Sequence, residues 1–183
     1  MTDVHDLVRP ELDLARSTAA SVTDPEMPML TLEDLGVLRD VTLERTWDAT
    51  VGDQVDTVVV TITPTYSGCP AMATMRDDLV HALRDRGFDR VDIRVSLHPA
   101  WSTDWITTRG RAALQRAGIS PPAHVGEQRG PIPLTLQPVR RSLRCPRCDS
   151  TEIAITSEFG ATACKALYRC NSCLEPFEHV KEI

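Results

Sequence analysis

Lysine is nearly missing from this chain: only 2 of its 20 basic residues are lysine, they face 26 acidic residues, and the net charge is −6. With no overall positive field, nothing holds a polyphosphate backbone, so nucleic acid is not the default partner. The surplus of arginine over lysine reads as GC-rich coding rather than function. One local exception is the cluster Arg140, Arg141, Arg144 and Arg147, which leaves a nucleic-acid-binding module as the weakest reading. No apolar run approaches membrane-spanning length, and the start M-T-D-V-H-D-L-V-R-P lacks the basic residues and apolar stretch of a signal peptide. A soluble, cytoplasmic protein without a membrane partner is expected. Also missing are a G-x-G-x-x-G turn, a flavin or ferredoxin pattern, a pair of E-x-x-H helices for a di-iron site, and any internal repeat. By motif, then, the chain carries no redox machinery of its own. In a reducing compartment its six cysteines are ligands or reactive thiols rather than disulfides.

Local patterns divide the chain. Residues 11–21 read as a short helix, with Leu12, Ala15 and Ala19 on one stripe, and D-P-E-M-P at 24–28 breaks it. Thr31 suits the N-cap of a single helical turn that Gly36 stops. Val37–Trp47 and Val55–Thr63 read as a hairpin about Gly52 and Asp53. Met72, Met75, Leu79 and Leu83 recur at helical spacing, so a helix is expected over Pro70–Arg86, closed by Gly87. Val91, Ile93, Val95 and Leu97 alternate with polar residues as a half-buried strand, and Thr103 is expected to cap a last helix, Asp104–Ala117. The order α-β-β-α-β-α implies a two-layer α/β sandwich over residues 1–120. A proline-rich linker over 121–142 and a small module over 143–183 follow, the latter too short to build a core without a staple.

That staple is Cys145-Pro-Arg-Cys148 with Cys170-Asn-Ser-Cys173. Two residues between paired cysteines let one tight turn aim both sulfurs at a single ion, and two such knuckles complete a tetrahedron. The 21 residues between Cys148 and Cys170 lie just beyond the roughly 15–20 usual for this pattern, and 153–156 with 166–169 fit the hairpin that fills them. Four thiolates leave no open position, so a structural Zn²⁺ is expected, with an iron centre or Fe–S cluster as the alternative. Cys164 stands apart from both knuckles, as a packing residue or a second reactive thiol.

Cys69, in T-P-T-Y-S-G-C-P-A, sits where strand hands over to helix. With Pro70 at the first helical position, the helix N-terminus would favour the thiolate, a nucleophile or metal ligand; the alternative is a buried filler. No histidine in the motif stands ready as its base, so covalent catalysis ranks low. Asp24 and Glu26 put two carboxylates on a stretch stiffened by Pro25 and Pro28. D-P-E-x-P followed, one hairpin later, by T-P-T-Y-S-G-C-P resembles the small iron–sulfur assembly domain family, over roughly Val22–Leu97. The resemblance implies that Asp24, Glu26 and Cys69 converge on one face, with Thr65 as a hydroxyl neighbour, to handle transient iron or a cluster. A mixed thiolate and carboxylate set suits loosely held iron.

The wider arrangement adds D-P-E-M-P-M-L-T-L-E-D-L-G-V-L-R-D-V, W-S-T-D-W-I-T and T-S-E-F-G-A-T-A-C-K-A-L-Y-R-C-N-S-C-L-E-P-F. It resembles the D-subunit family of the phenylacetyl-CoA epoxidase systems. That resemblance implies an accessory member of a di-iron multicomponent oxygenase in aerobic phenylacetate breakdown, with the other subunits as partners. Two roles stay open: maturation of the di-iron or Fe–S centres, and non-catalytic docking. A homodimer stays open too. Trp101 and Trp105 are core residues or partner anchors, and His98 a strand-end polar residue or a ligand.

Overall fold

A computed structural model describes residues 4–66, 68–126 and 143–182, with side chains from residue 10 onward. The chain groups into two compact units, residues 1–101 and 102–183.

The first unit runs α1 (Val4–Ser21), β1 (Leu38–Asp48), β2 (Asp53–Ile62), α2 (Met72–Arg84) and β3 (Val91–Val95). β2 is the central strand, antiparallel to β1 and parallel to β3, which α2 connects back to the sheet. The β-branched run at its heart stays buried on both faces: Thr57, Val58, Val59 and Val60 are each at most 6% exposed, which is why it reads as continuous rather than alternating. On one face Val41, Val58, Val60, Ile62 and Ile93 are buried, as are Ala15 and Ala19 of α1 and Met75, Leu79 and Leu83 of α2. The small residues of α1 let its backbone approach the sheet closely enough for the Arg16 Nε–H to donate to the Val41 carbonyl at 3.1 Å. The opposite face is polar. There the Arg94 guanidinium reaches from β3 across β2 to β1, donating to both Glu44 carboxylate oxygens at 3.0 and 2.9 Å and to Asp92 at 2.9 Å. By register this bridge passes over Val59.

The second unit begins with a 3₁₀ turn, Thr103–Trp105, followed by α3 (Thr108–Arg116) and β4 (Ile119–Ser120), then β5 (Ile153–Ser157), β6 (Lys165–Cys170) and β7 (Pro176–Val180). Its sheet has the order β4-β7-β6-β5, with β4 parallel to β7 and the rest antiparallel. Tyr168 stacks on Phe177 at 5.9 Å between ring centres, in a core with Leu143, Ala166, Cys145 and Cys170.

Four sequence expectations change, the first being the short helix expected over 11–21, which begins at Val4. The helix expected from Pro70 starts at Met72, because Cys69–Met72 forms a turn first (Met72 N–H to Cys69 carbonyl, 3.3 Å). The helix expected over 104–117 splits: Ser102 rather than Thr103 caps the 3₁₀ turn, Ile106 is extended, and Thr107 caps α3 by accepting from the Gly110 N–H at 3.0 Å. The chain also divides at 101/102 instead of 120, since α3 and β4 build onto the second sheet. Of the expected linker, residues 127–142 lie outside the described residues. Residues 122–126 are tied down, with Pro122 accepting from Arg111, while Asp104 accepts from His124 Nδ1 and from the Val125 and Gly126 N–H groups.

Candidate functional site

The two knuckles bring four sulfurs together: Cys145, Cys148, Cys170 and Cys173 have ligand atoms all within 4.8 Å of one another. Cys145 and Cys173 sulfurs are 3.7 Å apart, and Cys148 and Cys170 sulfurs 3.6 Å. A tetrahedral ion about 2.3 Å from each thiolate sets neighbouring sulfurs about 3.8 Å apart, so the donor set fits a bound metal. Each knuckle closes alike, with the residue after its second cysteine in the left-handed region, Asp149 at φ 60° and Leu174 at φ 64°. The Ser150 and Ser172 hydroxyls bridge the two knuckles at 2.7 Å. The Cys173 and Ser172 N–H groups, working against burial, hold the Cys170 thiol down to about 6. Cys148 goes the other way: despite the Ser150 N–H, burial and the Cys173, Cys170 and Cys145 sulfurs push it up to about 12. Four thiols this close cannot all ionise without a cation to neutralise them.

The amino-terminal candidates lie on two loops of the first unit, Asp24 and Glu26 between α1 and β1, Thr65 and Cys69 between β2 and α2. Backbone bonds fix the neighbouring segments: the Thr63 N–H donates to Val37, the Ser96 N–H to Ile62, and the Leu32 N–H to Val22, at 2.8–2.9 Å. The Trp101 indole, buried at 4% exposure, donates to the Leu35 carbonyl at 3.0 Å, which makes it a core residue. Asp24 is 5% exposed, and its Oδ1 accepts from the Glu26 and Met27 N–H groups at 2.9 and 2.7 Å. Glu26, Thr65 and Cys69 are half-buried. The Cys69 N–H donates to the Tyr66 carbonyl at 3.0 Å. Among the described residues the four knuckle cysteines are the one group of three or more ligand side chains whose donor atoms all lie within 4.8 Å of one another. Asp24, Glu26 and Cys69 therefore form no preset cage.

The remaining candidates scatter. His98 is exposed, and Trp105 is half-buried in the 3₁₀ turn. Cys164 is half-buried, its sulfur 3.1 Å from the Thr162 hydroxyl. Arg144 pairs with Asp149 at 3.1 Å, Arg147 is exposed, and Arg140 and Arg141 lie outside the described residues. Sequence reasoning missed the Ser150–Ser172 bridge and the buried His179. The first was legible in the serine within or just after each C-x-x-C, whereas the second has no local signal.

Comparison with known proteins agrees with this layout. Residues 17–97 match the family described as "Iron-sulfur cluster assembly protein", and residues 130–181 the family described as "PaaD zinc beta ribbon domain". The D component of a "Putative 1,2-phenylacetyl-CoA epoxidase" of Escherichia coli (strain K12) is 43% identical over 164 residues, covering 88% of this chain and 87% of that one. Among solved structures, a domain of unknown function (DUF59) from Bacillus anthracis is 21% identical. It superposes with a TM-score of 0.50 over 60% of this chain and 96% of its own, and so shares the fold.

Proposed function

Because the chain belongs to the D-subunit family of the 1,2-phenylacetyl-CoA epoxidases, we propose that it is a non-catalytic accessory subunit of such an epoxidase system in aerobic phenylacetate catabolism. In this reading it matures the di-iron or Fe–S centres of its oxygenase partners. The observation that carries it is the position of Cys69, half-buried in a turn between the end of β2 and the start of α2 and outside the closed four-sulfur set. It lies within the span that matches the iron–sulfur assembly family. Iron or a cluster is the cargo: a thiolate with nearby carboxylates holds it loosely enough to give it up. The four knuckle cysteines hold a different ion, a structural Zn²⁺, because their own thiolates fill its coordination shell.

Replacing Cys69 by serine tests the reading. Cys69→Ser should keep the melting temperature and the zinc content of protein purified without oxygen, lose its iron and acid-labile sulfide, and abolish growth on phenylacetate. Normal growth of the Cys69→Ser strain would sink the maturation role. A docking role is the second reading, favoured by the scaffold character of residues 102–183, where β4 extends the metal-stapled sheet. It requires stable co-purification with the oxygenase and indifference to Cys69→Ser.

A further inference from the structure

We propose that Tyr66 is a positioning residue for Cys69, its ring seated on Gly68 as the outer wall of the thiol loop. The inference rests on reading Cys69 as a working thiol. Its starting point is why residue 68 is glycine. Gly36, Gly52, Gly87, Gly118 and Gly126 all have positive φ, between 70° and 92°, where glycine is favoured. Gly68 does not share that conformation, so its backbone would admit a side chain. What a side chain there would meet is the Tyr66 ring, which would have to shift to admit it. A Cβ built on Gly68 would lie 3.0 Å from Cε1, 3.6 Å from Cδ1 and 3.7 Å from Cζ of Tyr66. One edge of the ring therefore rests directly on the glycine.

Tyr66 is 52% exposed, so no core contact compels this placement, and the ring could swing out to water. It lies instead over the loop whose next residue is Cys69. Its main chain acts on the same loop, since the Tyr66 carbonyl accepts from the Cys69 N–H at 3.0 Å. The Cys69 carbonyl in turn accepts from the Met72 N–H at 3.3 Å, tying the loop to the start of α2. Residue 66 thus closes the turn with its backbone and covers it with its ring. An apolar ring edge at that place restricts how far the turn can open and keeps bulky reagents and bulk water from one side of the sulfur. Both effects slow thiol chemistry with solutes and leave it for a partner that can displace the ring.

The test is the rate at which iodoacetamide alkylates Cys69 in the full, metal-loaded chain, followed by peptide mass spectrometry. Tyr66→Ala should raise that rate several-fold, and Tyr66→Phe should restore it, because the ring rather than the hydroxyl does the shielding. Gly68→Ala should raise the rate by pushing the ring away, yet change nothing further when added to Tyr66→Ala. An unchanged rate in Tyr66→Ala, or a Gly68→Ala effect of the same size in both backgrounds, would overturn the proposal. Circular dichroism and melting temperature establish that each variant is folded, and if Tyr66→Ala is not, Tyr66→Leu carries the same comparison. The readout is thiol chemistry rather than growth, so this outcome and that of the Cys69→Ser strain separate failure of the wall from failure of the maturation role.

Discussion

A single carboxylate oxygen, Oδ1 of Asp24, accepts from two backbone N–H groups of its own loop, one of them the Met27 N–H, in a segment whose Met27 side chain is 2% exposed. The aspartate that motif reasoning assigns to iron therefore has a structural task as well, and the two tasks respond differently to substitution. Asp24→Ala leaves both donors without that acceptor and should cost about 1–3 kcal/mol, read as a shift in urea midpoint. Asp24→Asn keeps a carbonyl oxygen in place and should cost less than Asp24→Ala, its cost being the difference between a charged and a neutral acceptor. An Asp24→Asn variant as unstable as Asp24→Ala would show that the charge itself holds the loop. Growth on phenylacetate then reports on iron handling only in the stable variant. At this scale the sequence was readable wherever a rule spans three or four residues. Thr31 does cap its turn, accepting from the Asp34 N–H at 3.0 Å, and Gly36 ends it at φ 74°. The cysteine pairs meet as their spacing implies. The seating of Tyr66 on Gly68 was not readable, since the same letters allow the ring to point to solvent.

Between elements, local rules lost their grip. Thr103 and Thr107 both resemble N-caps, and only packing decided that the helix starts at the second while Thr103, fully buried, joins the turn before it. The pairing of Ile119 and Ser120 with Glu178 and His179 joins residues 59 apart in a strand of two residues, too short for any periodicity to show. What fixes it is the His179 ring, buried at 0% exposure, whose Nδ1–H donates to the Ser120 carbonyl at 3.1 Å while Nε2 lies 3.4 Å from the Glu182 carboxylate. Burial alone would raise the Glu182 carboxyl, but His179 and the Ala123 N–H outweigh it and hold it down to about 2, against an ordinary value of 4.5. A carboxyl depressed on folding stabilises the native state fully above its unfolded value, and that contribution is lost as pH falls toward the folded one. The melting-temperature gap between wild type and Glu182→Gln should thus be widest above about pH 5 and close as pH drops toward about 2. Metal release by cysteine protonation affects both proteins, so the difference isolates Glu182. A gap that stays constant over that range would mean the carboxylate is not used.

For the molecule as a whole, the two units rest on different kinds of stability. The first has a conventional core, with Val60, Ile62, Leu79 and Leu83 at 0% exposure and no metal ligand among them. In the second, the core cluster of Leu143, Cys145, Ala166, Tyr168, Cys170 and Phe177 includes two of the four metal-site cysteines, and a third, Cys173, packs against it. Removing the ion there leaves four crowded thiols and withdraws a binding free energy of about 10–16 kcal/mol typical of structural zinc. The described apolar residues packed around the sulfurs, Leu143, Ala166, Tyr168 and Phe177, are too few to offset that loss, whereas the buried residues named in the first unit include no metal ligand. Chelation, or Cys145→Ser, should therefore strip amide-exchange protection from β6 and β7 while the Thr57–Ile62 amides of β2 stay protected. Retained protection in β6 would mean that the strands hold without metal. Loss of protection in β2 as well would mean that the units unfold together, and the division at residue 101 would then be one of shape and not of stability.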